Sequence, residues 1–155
     1  MKEINAWTGY SEKDLEAVEQ ISSGYMNFLD NGKTERECTD AIVEMAEKNG
    51  YRNLDDIVAA GEKLEKGSKV YAVNMHKAVV LFNMGEDILR DGLNILGAHI
   101  DSPRLDLKQN PLYESDEYAF LNTQYYGGIK KYQWVTMPLA IHGVVAKKDG
   151  TTVKI

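Results

Sequence analysis

The chain has 155 residues, 43% of them hydrophobic and 27% charged, which suits a soluble globular domain with a packed core. A formal charge of −6 argues against a nucleic-acid partner, because phosphate binding needs Lys and Arg gathered on one face, and the dense basic spots, Lys130-Lys131 and Lys147-Lys148, read as solvated turns. No apolar run approaches the ~20 residues that span a bilayer, the N-terminus carries no export pattern and the single cysteine, Cys38, has no disulfide partner, so no membrane association and a cytoplasmic location are expected.

The first half of the chain reads as helical. Leu15, Val18, Ile21, Tyr25 and Phe28-Leu29 recur at roughly the helical period behind a cap at Ser11, and Asn31-Gly32 supplies the stop. A second helix opens at Thr34, whose hydroxyl can accept the Glu37 backbone N–H while the Glu37 carboxylate reaches back, and it runs through Ile42 and Met45 to Asn49-Gly50. Cys38, Ile42 and Met45 share one face of it, which places the thiol in a core rather than in a nucleophile's role. A short third helix is expected over Leu54 to Ala60.

From Ser68 the period changes to that of strands. "KVYAVNMHKAVVLFNMG" holds two β-branched and aromatic runs about a polar turn near Asn74 to Lys77, a hairpin in which His76 is an exposed turn residue. Leu93 to Ile100 is apolar at both parities, which predicts a strand buried on both faces of a helix-covered sheet. Helices followed by such a strand make the class α/β. Beyond Pro103 the chain turns to short runs punctuated by Asn110-Pro111, an acidic loop at Glu114 to Glu117, and Gly127-Gly128. Leu139 to Ala146 and Thr151 to Ile155 then flank a Lys-Lys-Asp-Gly turn, with His142 inside the first of these strands. The division predicted is an α/β part over 1–106 and a β part over 107–155, and the chain ends on a strand pattern, as a portion of something longer would.

Where the buried run gives out, "GAHIDSPRLDLK" places His99 and Asp101 two residues apart. In open α/β sheets chemistry sits at the carboxyl ends of strands. A histidine that binds a metal through one ring nitrogen commonly donates its other N–H to a carboxylate, and His-x-Asp supplies both partners locally. A histidine near the end of a strand is often only a hydrogen-bonded buried residue, and His-x-Asp also occurs by chance. A catalytic zinc also needs about three protein ligands, and neither His76 nor His142 has a spacing that completes a set, so on spacing alone both readings stay open.

The stretches "LGAHIDSPRLDLKQNPLYE" and "YYGGIKKYQW", with the N-terminal helices and the "VYAVNMHKAVVLFNMG" hairpin, closely resemble the aminopeptidase I family of zinc metallopeptidases, which includes the aspartyl aminopeptidases. The likeness covers essentially the whole chain. It implies a catalytic α/β domain with two zinc ions per active site, interrupted by an inserted β domain that drives homo-oligomerisation into dodecamers, and the removal of N-terminal residues from peptide substrates. Carried onto this sequence, the motif histidine that binds one zinc is His99, and the aspartate that supports it is Asp101. The family's bridging aspartate, glutamate base and other ligands match nothing here. Many members carry Asp-Arg soon after the tryptophan matching Trp134, where this chain has Thr136-Met137, so a preference for acidic residues is not implied. The rival reading is a truncated, non-catalytic relative that acts as an interaction or assembly module.

Overall fold

A computed structural model describes residues 5–87, 90 and 92–155. The chain divides into two compact units, one through Ile95 and the other from Leu96 to Ile155.

In the first unit the helices begin and end where local chemistry dictates. Helix α1 spans Glu12–Asn31. The Ser11 hydroxyl accepts the Asp14 N–H at 3.3 Å, and the Asp14 carboxylate accepts the Ser11 N–H at 2.9 Å, which satisfies two of the end's orphan donors. At the other end Gly32 donates its N–H to the Phe28 carbonyl at 2.8 Å. Helix α2, Glu35–Lys48, opens on the same reciprocal pairing between Thr34 and Glu37. A two-residue strand β1 (Arg52–Asn53) leads into helix α3 (Leu54–Ala59). Strands β2 (Lys69–Asn74) and β3 (Ala78–Asn83) form the expected hairpin, and β1 pairs parallel to β2 to give the sheet order β1-β2-β3.

The core lies where α2 and α3 pack on β2, and it is built from Cys38, Thr39, Ala46, Ile57, Val70 and Tyr71. Burial raises the Cys38 thiol's pKa above its ordinary value, helped by the neighbouring charges of Glu37 and Glu35, so the core reading of this cysteine holds. Its helical partners fare differently. Ile42 is half-buried and Met45 is exposed, and along α1 only Val18 and Phe28 are even half-buried. Apolar periodicity marks a face that suits burial, and the described residues cover only part of these faces.

The same reason overturns the strand predicted over Leu93 to Ile100. Residues 92–103 hold no regular structure, and Ile95 and Leu96 are 85% and 99% exposed. A strand covered on both faces needs flanking strands to take its N–H and C=O groups and helices to cover its side chains. Among the described residues no strand pairs with this segment.

The second unit is a pair of antiparallel ribbons. Strand β4 (Arg104–Ser115) pairs with β5 (Tyr118–Tyr126), and β6 (Val144–Ala146) pairs with β7 (Thr152–Lys154). Asn110-Pro111 does not end a run. It sits in a bulge where Lys108 to Pro111 stand opposite Asn122, because Pro111 has no N–H for the ladder and Asn110 takes a φ of 51°. The acidic stretch is the end of β4 plus a tight turn in which Asp116 and Glu117 have φ of 51° and 67°. Of the strand expected over Leu139 to Ala146 the last three residues form β6, and Gly143 just before them exchanges backbone hydrogen bonds with Ile155 at 3.2 and 3.0 Å.

These ribbons leave Leu112, Tyr118, Val145 and Val153 exposed, more apolar surface than isolated two-stranded ribbons carry in water. Residues 1–155 are therefore expected to self-associate, and sedimentation velocity yielding a monomer at high concentration would overturn this.

Candidate metal centre

His99 and Asp101 lie in the irregular segment just before β4, not at the end of a strand. Their side chains nevertheless meet. Nδ1 of His99 stands 2.8 Å from the main-chain carbonyl oxygen of Asp101 and 3.2 Å from its Oδ1. Both neighbours are acceptors, so the hydrogen belongs on Nδ1 and the lone pair on Nε2. The imidazole is 84% exposed on its side chain, and the carboxylate is 34% exposed. A largely exposed imidazole whose Nδ1 is held by the Asp101 carbonyl, with the carboxylate beside it, leaves Nε2 for a metal and fits one corner of a zinc site.

The other carboxylate oxygen is also engaged. Tyr126, the last residue of β5, donates its hydroxyl to Oδ2 of Asp101 at 2.7 Å. That hydrogen bond is the main reason the Asp101 carboxyl lies below the usual aspartate pKa; burial opposes it, and the Asp101 main chain and then His99 add smaller lowering effects. Tyr126 is positioned by register, since it pairs with Arg104 across the ribbon. The Arg104 guanidinium lies 4.3 Å over the Tyr126 ring, and its Nε donates to Oδ1 of Asp106 at 2.7 Å. The neighbouring Gly127 has a φ of +72°, and a Cβ there would stand 3.4 Å from Pro103, so the turn after β5 runs close against the segment that carries Asp101.

Sequence reasoning singled out His99 and Asp101, which the structure brings together, but it missed Tyr126 and Arg104. The Tyr-Gly-Gly and Asp-Ser-Pro-Arg stretches were visible, yet their contact crosses 25 residues and rests on the register of β4 and β5. His76 occupies the expected turn with a φ of 58°, and its Nε2 pairs with the Asp40 carboxylate of α2. His142 is exposed and precedes β6 instead of lying within a strand. Among the described residues no group of three or more His, Cys, Asp or Glu side chains is arranged to hold a metal ion. No helix among them is long and apolar enough to cross a membrane.

The model of the aminopeptidase I zinc metalloprotease (M18) family matches residues 28–155. The chain belongs to this family. A probable M18 family aminopeptidase 1 of Clostridium acetobutylicum is 58% identical over 151 residues, covering 97% of this chain and 32% of the relative. Among solved structures, aminopeptidase I from Borrelia burgdorferi matches with a TM-score of 0.88 at 38% identity, over 98% of this chain and 37% of that one. The M18 aminopeptidase from Thermotoga maritima matches with a TM-score of 0.87 at 42% identity, over all of this chain and 33% of the other. The M18 resemblance read from "LGAHIDSPRLDLKQNPLYE" is thus borne out, as is the mixed helix-and-strand class. The chain spans about a third of the length of the curated M18 relatives it matches.

Proposed function

We propose that this chain is the N-terminal portion of a zinc-dependent aminopeptidase that removes N-terminal residues from peptides. The observation that carries the reading is the presentation of Nε2 of His99, with Asp101 on Nδ1, in a member of a zinc metalloprotease family. His99 is the zinc ligand and Asp101 the carboxylate that orients it. Zinc supplies Lewis acidity toward a peptide carbonyl. His99 must present an unprotonated Nε2 and Asp101 must hold the ring still, so both act before any peptide bond is broken.

Two zinc ions per active site need more ligands than one histidine, and a general base besides. These groups are assigned to the part of the relatives' length that this chain does not span. In the same reading residues 1–106 belong to the catalytic α/β domain and 107–155 begin a β assembly domain, which joins copies into a cytoplasmic homo-oligomer, a dodecamer as the family resemblance implies. The exposed apolar ribbons support the assembly role. The residue preferred at the peptide N-terminus is left open by Thr136-Met137.

A chimera tests this reading: residues 1–155 replace the matching portion of the Clostridium acetobutylicum relative, and the purified protein is assayed on a panel of aminoacyl chromogenic substrates with and without zinc. Zinc-dependent release from at least one substrate is expected. A folded chimera that assembles yet releases nothing, beside an active parent, would sink the catalytic reading and favour an assembly module.

A further inference from the structure

We propose that Tyr126 is a positioning residue of this site, fixing through Asp101 which nitrogen of His99 is offered to a metal; the inference rests on the zinc reading above. A carboxylate on an exposed segment turns freely about its terminal bond, and either oxygen, or neither, can then face the imidazole. Tyr126 removes that freedom. Its hydroxyl takes Oδ2 at 2.7 Å, which leaves Oδ1 at 3.2 Å from Nδ1 of His99, beside the Asp101 carbonyl oxygen at 2.8 Å.

The anchor is itself rigid. Tyr126 stands in the β4–β5 ladder opposite Arg104, whose guanidinium covers one ring face at 4.3 Å while its Nε is tied to Asp106. The ribbon thus fixes Tyr126, Tyr126 fixes Asp101, and Asp101 holds the Nδ1–H tautomer of His99. This tautomer is the less favoured one for a histidine in water, so an exposed imidazole adopts it only when acceptors on Nδ1 are held in place. Metal-ligating histidines depend on such a partner, and here the partner depends on a tyrosine from another strand.

Solid-state nitrogen-15 spectra of the histidine-labelled, metal-free chain test the inference, because ring shifts report the tautomer whatever the size of the assembly; His99→Gln assigns the signal. In the unaltered chain His99 is expected as the Nδ1–H tautomer. Tyr126→Phe keeps the ring under Arg104 and removes only the hydroxyl, so the Nε2–H form is expected to grow in. In the chimera the same change is expected to weaken zinc binding by about 3- to 10-fold, less than loss of the orienting carboxylate itself. An Nε2–H tautomer in the unaltered chain would overturn the proposal without recourse to any variant. So would an unchanged tautomer in a folded Tyr126→Phe chain. A tautomer that shifts in a chimera that binds no zinc would leave the anchor standing and refute the metal reading instead.

Discussion

Asp101→Asn in the chimera is expected to leave the fold intact and to lower zinc affinity and kcat/KM by about 10- to 100-fold, the scale on which outer-shell carboxylates act. The fold should survive because Asp101 sits in an irregular segment with a partly exposed side chain. The asparagine oxygen can still accept the Tyr126 hydroxyl. What then faces Nδ1 of His99 is an amide NH2, a donor set against a donor, and the negative charge that made Nε2 a stronger ligand is gone. The loss is bounded because the main-chain carbonyl of residue 101 still stands at 2.8 Å from Nδ1. Chelator competition measures the affinity, and initial rates across the substrate panel measure the activity. Parental affinity in a folded Asp101→Asn protein would remove Asp101 from the site.

Ile57→Ala is expected to destabilise the first unit by about 2–5 kcal/mol, the range for truncating a buried isoleucine to alanine. Ile57 is 3% exposed and is the buried residue of α3, a helix of six residues. A helix that short does not stand alone in water, so its packing against β2 is what retains it. The Asn53 side chain, which accepts the Asp55 N–H at 2.9 Å, caps α3 but cannot replace the lost contacts. The cost is a large fraction of a small domain's whole stability. Urea unfolding followed by helical circular dichroism measures it, and a loss under about 1 kcal/mol would show that the site collapses around the smaller side chain or that α3 is not part of the cooperative unit.

The helices were legible because their ends are written in short-range chemistry. Ser11 with Asp14, Thr34 with Glu37 and the stop at Gly32 each involve residues within four of one another, so a reader of the sequence holds every partner needed. The β2–β3 hairpin and the β6–β7 turn follow from equally local spacing. His99 and Asp101 were legible for the same reason, since the imidazole and its carboxylate are two residues apart.

What tertiary structure alone decided is everything that needs a distant neighbour. Leu93 to Ile100 has the composition of a doubly buried strand, and its exposure in this chain reflects the partners around it, which no local pattern encodes. Asn110-Pro111 reads as a break, and only the pairing of β4 with β5 turns it into a bulge within one long strand. Tyr126 reads as one of several strand aromatics until the register sets it opposite Arg104, with its hydroxyl on Asp101. By itself the sequence determined the helix boundaries, the family and the identity of the His-x-Asp pair, because each rests on interactions within a few residues or on a contiguous motif. The tertiary structure decided which apolar faces are covered and which strand holds the carboxylate still, because burial and cross-strand register depend on chain segments that are remote until they fold together.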